Sequence, residues 1–292
     1  MTHYTPTQGA DPAFAPEFGR SAEGFPVARL GDSAFAMLPC TGGKFHFASG
    51  WRLKKPLADW TRRDFYGHGG PLADEAGFHA LVFEQAEHQQ EKRTLGRREV
   101  SSRASTPWGA SQGATVYGEG VFFHSTASHG GFHLSPERNA AVHPMLRSIS
   151  GFYEEDGDWA AVAFAWPALF TALERRQAEE SLRHNRPEAW ETIHGRTLRP
   201  GESRERDRQS FERDHAKDWV VISAIYSDQH RGFTEAVATR GGQRDSSAEE
   251  RRFLIPSAEY KSGPFGFVVD ETRHAAYDGP SSFIGWQGRR KR

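Results

Sequence analysis

Residues 114–134 read ATVYGEGVFFHSTASHGGFHL, and this stretch decides the fold class. Ala114 to Tyr117 and Val121 to Ser125 are short apolar or aromatic runs separated by Gly118-Glu119-Gly120, the pattern of a hairpin. A third run, Phe132-His133-Leu134, follows the polar segment Ser125-Thr126-Ala127-Ser128-His129-Gly130-Gly131. That segment reads as a polar site at a strand end. Hydroxyls and an imidazole supply donors, acceptors and a titratable nitrogen, while adjacent glycines admit φ > 0 and close approach of a bound group.

Upstream, residues 1 to about 22 are rich in Pro, Ala, Gly and Thr without a period and are expected to form a mobile tail. Structure is expected from about Phe25. Ala34 to Leu38 and Lys44 to Ala48 flank Thr41-Gly42-Gly43 as a further hairpin, and Tyr66 to Gly70 reads as a turn. Pro71 suits the first turn of a helix running to about Arg93, with Leu72, Ala76, His79, Val82, Phe83 and Ala86 on its apolar side. His79 is then expected as a hydrogen-bonded core residue. The polar stretch Gly96 to Arg103 reads as a linker, so residues 23–100 form a small N-terminal α+β module and residues 101–288 the main domain.

Downstream, Ser135 and Pro136 mark a helix start as N-cap and first helical residue. Asp158 to Leu173 carries a helical apolar stripe in which Pro167 forces a kink or restart. Helical character continues to His184, around Trp190, and in the charge-compensated run Glu202 to Lys217. Strand signals return at Trp219 to Tyr226, Thr234 to Thr239, Arg252 to Ile255 and Phe265 to Val269. Helices in the middle with strands on both sides predict an α+β fold with a mostly antiparallel sheet, not a doubly wound parallel one.

Composition narrows the function classes. Lys plus Arg total 37 against 38 Asp plus Glu, a formal charge of -1 that gives no global attraction to nucleic acid or membrane. The single cysteine, Cys40, excludes an intramolecular disulfide and a cysteine-based structural zinc site, which suits a reducing cytosol. The N-terminal stretch lacks a basic region followed by an apolar one, and no run approaches a membrane span, so a cytoplasmic protein with no membrane partner is expected.

The candidate catalytic residues are His129, Ser128, Glu154 and Glu155, and the candidate ligand-binding residues are Ser125, Thr126, Gly130, Gly131 and Trp108. His129 suits a general base or an anion donor, and the Gly130 and Gly131 amides suit a developing negative charge. The alternative for the same residues is a tight turn between strands. Thr126 stands where G-x-S-x-G needs its first glycine, so the segment is no nucleophile elbow. The acidic cluster Glu154-Glu155-Asp156-Gly157-Asp158, which lacks the full ligand spacing of an EF-hand, suits a hard cation or an acid–base partner if folding brings it to His129, or else caps the helix at Trp159. Neither H-E-x-x-H nor a Cys/His spacing assigns a metal ligand among His124, His129 and His133. His68-Gly69-Gly70 offers amides at a second strand-to-helix junction, and Arg289 to Arg292 form a basic tail. With no P-loop and no G-x-G-x-x-G, the cofactor stays open.

Taken together, Ser105-Thr106-Pro107-Trp108-Gly109, the Ser125 to Gly131 segment, Leu134 to Arg138 and Tyr153 to Asp156 resemble a domain of unknown function found in bacterial plasmid and phage proteins. Arg251 to Pro256 and Tyr277 to Trp286 extend the resemblance, which covers about residues 105 to 286. The resemblance implies an accessory role in mobile-element biology, with a host-defence protein or nucleic acid as partner. It implies no reaction, so enzyme status stays open against a non-catalytic module that binds a protein or nucleic acid.

Overall fold

Strands that carry small and bulky apolar residues on both faces bury both, and the N-terminal sheet is built from such strands. The computed structural model describes residues 14–283. The chain divides by contacts into two compact units, residues 1–182 and 183–292. The boundary expected near residue 100 falls inside the first unit.

The first unit opens with an antiparallel meander of β1 (Glu17–Arg20), β2 (Pro26–Leu30), β3 (Ser33–Pro39), β4 (Phe45–Trp51) and β5 (Gly67–Leu72), neighbours in that order. The expected hairpin at Thr41-Gly42-Gly43 is there, with Met37 opposite Phe47. One face packs Val27, Ala36, Ala48 and Leu57 around Trp60. The other packs Ala28, Phe35, Met37 and Phe47 against helix α1 (Glu75–Thr94) through Phe78, Val82 and Ala86.

Several local expectations change here. Glu17–Arg20 lies inside the expected tail but pairs with β2, Phe18 packing near Phe78 and Phe83. Pro71 ends up in β5, and α1 starts later because the Asp74 carboxylate accepts the Gly77 N–H at 2.7 Å and caps it. The buried stripe of α1 is set by Phe78, so Ala76 is exposed and His79 is only half-buried, lying against Phe18. The segment read as a linker contains β6 (Arg98–Val100), an edge strand of the second sheet.

That second sheet, also within the first unit, has five antiparallel strands. After the short ribbon of β7 (Ser105–Thr106) and β8 (Gly109–Ala110) come β9 (Gly113–Gly118), β10 (Val121–Ser125), β11 (Gly130–Leu134) and, beyond helix α2 (Pro136–Ala140), β12 (Phe152–Glu154). Their order is β12-β11-β10-β9-β6. Ser135 caps α2 as expected, accepting from the Arg138 N–H. Helix α3 (Trp159–Ala165) breaks at Trp166, Pro167 restarts a 3-10 turn, and α4 (Ala172–Asn185) follows. Phe170, between the last two, packs against Tyr117 and Phe132 on one face of the sheet.

A largely buried ion pair locks this arrangement. Arg97 donates to both Glu174 oxygens, at 2.9 and 2.5 Å, and to the Leu169 carbonyl, with its guanidinium 3.9 Å from the Tyr117 ring centroid. Helix α1 joins α4 at the same place: His88 Nδ1 meets Thr171 Oγ1 at 2.8 Å, and the Ala172 N–H donates to Glu91.

The second unit holds α5 (Pro187–His194), α6 (Arg204–Asp214) and an antiparallel sheet of β13 (Trp219–Tyr226), β14 (Phe233–Arg240), β15 (Glu250–Pro256) and β16 (Ala275–Ala276). Helix α6 is the expected compensated one, with Arg208 paired to Glu205 and Glu212. Phe265 to Val269 makes isolated bridges, Val220 to Val268 and Gly263 to Gly266, in place of the expected strand, because Pro264 and Gly266 (φ 134°) interrupt it. Glu235 is fully buried on β14, where its carboxylate accepts from Arg252, Ser281 and the Ser282 N–H. Both units are therefore α+β with antiparallel sheets. No helix among the described residues is long and apolar enough to cross a membrane. The basic stretch Arg289 to Arg292 lies outside the described residues.

Burial works against the charged form of Glu174, but the bonds from Arg97 and the Thr171 N–H outweigh it and hold the carboxyl below its usual range. A depressed carboxyl stabilises the fold above its unfolded pKa and loses that contribution as pH falls. Glu174→Gln should thus cost about 3 kcal/mol at neutral pH by urea unfolding, since it strands a buried guanidinium. Its deficit against wild type should shrink as the pH drops below about 4. An offset that did not change with pH would show that the pair is not what the substitution removes.

Candidate functional site

The candidate site forms where the β10–β11 hairpin turns and β12 ends beside it. Register places Ser125 opposite Gly130 and His124 opposite Gly131. The four-residue loop is closed by Thr126, whose N–H and hydroxyl both donate to the His129 carbonyl, at 2.9 and 2.6 Å. The His129 N–H returns to Thr126 Oγ1 at 3.2 Å. Thr126 therefore holds the loop's shape, while Ser125, Ser128 and the His129 side chain are exposed.

Strand β12 brings in the acidic residues. Gly131 pairs with Glu154, and the Glu155 N–H donates to the Gly130 carbonyl at 3.1 Å. His129 Nδ1 stands 4.0 Å from Glu154 Oε1 and 4.0 Å from Glu155 Oε1. That exceeds a direct hydrogen bond but lies within ion-pair and bridging-water reach. The other Glu154 oxygen accepts from the Asp156 N–H at 2.7 Å and the Gly157 N–H at 3.2 Å, which fixes the carboxylate's orientation. Asp158 precedes α3 but makes no capping bond from its side chain.

The glycines serve a purpose other than the expected one. Neither Gly130 nor Gly131 has positive φ; both are buried in the sheet. A Cβ on Gly131 would stand 2.2 Å from the Trp108 ring and 2.4 Å from the Tyr153 carbonyl oxygen. A Cβ on Gly130 would meet the Glu155 carboxylate at 2.6 Å and the Phe123 ring at 2.8 Å. Their missing side chains admit neighbours. Trp108 is carried there by the β7–β8 turn, which Thr106 closes through a 2.7 Å bond to the Gly109 carbonyl, and its ring meets Phe152 edge-on at 6.0 Å.

His124 and His133 are engaged with other neighbours. Buried His124 has its Nδ1 near Ser111 Oγ (3.2 Å) and Ser102 Oγ (3.4 Å); burial first, then His133, lowers its pKa. His133 stacks on Phe152 at 4.4 Å, and burial lowers its pKa as well. Both act as packed neutral rings. Ser128 makes no hydrogen bond to any described residue, so the site contains no preformed serine–histidine pair. At the second His-Gly-Gly stretch, His68 stacks on His46 within the first sheet, and Asp74 already caps the helix that follows.

Residues 101–216 match the family model of a domain of unknown function, DUF7007. The match takes in Trp108, the whole Ser125 to Gly131 segment, Glu154 and Glu155. Comparisons with curated proteins and with solved structures gave no match.

Gly131→Ala should lower stability by about 2–4 kcal/mol in urea, because one of its two clashes is with backbone that no rotamer change relieves. Gly157→Ala, where a Cβ meets nothing within 4 Å, should cost under about 1 kcal/mol. Equal costs at the two positions would contradict the close approach described.

Proposed function

We propose that the protein is a cytoplasmic accessory factor of a mobile genetic element, and that the end of the β10–β11 hairpin is the site through which it acts. The observation that supports a working site is the convergence of His129 Nδ1 on two carboxylates at 4.0 Å each. The ring nitrogen and the carboxylate oxygens lie close enough to serve one bound group, the imidazole giving a proton while a glutamate accepts one. Ser128 and Ser125, exposed on the same turn, add hydroxyls for ligand contact, and Trp108 adds an aromatic edge. The role in mobile-element biology rests on the resemblance to plasmid and phage proteins.

A specific observation favours a macromolecular ligand over a small enclosed one. The His129 side chain is 53% exposed, and the two carboxylates beside it are about a third exposed. A protein or nucleic acid of the host can reach such a projecting loop, which suits interference with defence or a DNA transaction.

The test is plasmid establishment in a restricting host that expresses the protein. Wild type should raise establishment, and His129→Ala should reduce that gain by about tenfold or more, a modest share of what an acid–base group contributes. The unfolding midpoint of the variant should stay within about 2 °C of wild type, as expected for an exposed residue. A folded His129→Ala protein with full effect would remove His129 from the function, and no effect of wild type would remove the anti-defence role.

A further inference from the structure

We infer that His129, Glu154 and Glu155 form a binding site for one divalent first-row transition-metal cation. The inference rests on the same site as the proposed function but needs no reaction to be true. Among the described residues, this is the group of His, Cys, Asp or Glu side chains whose donor atoms come close enough to share an ion.

The spacing carries the argument. The donors form a triangle with two sides of 4.0 Å, from His129 Nδ1 to each glutamate Oε1. With one donor atom taken from each residue, all three lie within 4.8 Å of one another. Three atoms so spaced have a point within about 2.8 Å of each, a few tenths of an ångström beyond the longer bonds of divalent cations to oxygen. A shift of under about 1 Å in half-exposed side chains reaches the shorter transition-metal distances of about 2.1 Å.

The donor set selects the class of cation. One imidazole with two carboxylates suits Mn²⁺, Fe²⁺ or Zn²⁺; Mg²⁺ keeps its waters and favours oxygen alone. Three protein donors leave positions open for water or a ligand oxygen. The surroundings support the donors: the Asp156 and Gly157 amides hold one Glu154 oxygen and leave Oε1 facing His129. The bare Cα of Gly130 leaves room for the Glu155 carboxylate. A cation also offsets the repulsion of two carboxylates gathered around one ring.

Titration of the full-length protein with Mn²⁺, read as loss of the free-ion paramagnetic resonance signal and repeated with Zn²⁺ as competitor, tests the site. One equivalent should bind and be displaced by Zn²⁺. His129→Ala, Glu154→Gln and Glu155→Gln should each weaken binding by about tenfold or more. Asp156→Asn, which changes a neighbouring acid outside the triangle, should leave affinity within about threefold, and circular dichroism should show every variant folded. Absence of a bound equivalent at about 1 mM Mn²⁺, or binding that survives His129→Ala undiminished, overturns the inference. The plasmid assay separates the two ideas, since loss of function in His129→Ala without metal binding by wild type leaves the acid–base reading standing alone.

Discussion

The approach of the Trp108 ring and the Tyr153 carbonyl to Gly131 allows no side chain at that position, and the geometry of the whole hairpin end depends on it. With a Cβ there, β11 would have to part from β12 or lose the indole over its surface. Pairing of Gly131 with Glu154 puts two consecutive glutamates beside a loop that ends in histidine. Gly130 repeats the constraint one residue earlier, where its bare Cα faces the Glu155 carboxylate and the Phe123 ring. Two absent side chains thus position three present ones.

On the opposite face of the same sheet, the constraint is electrostatic. Arg97 reaches from the start of β6 to Glu174 on α4 and to the Leu169 carbonyl. Phe170 lies between those two contacts and against Tyr117 and Phe132, so the ion pair fixes the segment that supplies the core. Such a pair adds specificity of packing more than net stability, because desolvation of both charges offsets most of their attraction. The sheet so anchored is a rigid support for a loop whose own exposed side chains have freedom to adapt, which is how binding residues are commonly carried.

What was legible in the sequence was local. The β9–β10 hairpin, the Ser135-Pro136 helix start and the break at Pro167 all follow from residues adjacent in the chain, and all are present. Pro71 reads as a helix opener, whereas Asp74 makes the cap of α1 and Phe78 sets its buried face. Glu17–Arg20 is compositionally a tail, and only its pairing with β2 makes it a strand. The Ser125 to Gly131 segment stood out by composition, yet the purpose of its glycines did not, since the atoms that crowd them come from Trp108, Tyr153 and Glu155. The meeting of His129 with Glu154 and Glu155 was open to suggestion but not to derivation, because it needs β12 to return across the α2 excursion and pair in one register. The buried hydrogen bonding of His124 with Ser102 and Ser111 had no signal at all in the spacing.

The central claim is that His129, Glu154 and Glu155 act as one site. The most direct measurement is a map of paramagnetic broadening of the backbone amide signals at substoichiometric Mn²⁺, which locates the ion without assuming its ligands. The account predicts broadening centred on Ser128 to Gly131 and Glu154 to Gly157 together, fading along β11 and β12 away from the loop. Broadening centred on another acidic stretch, or on the glutamates with the amides of the His129 loop untouched, would contradict it.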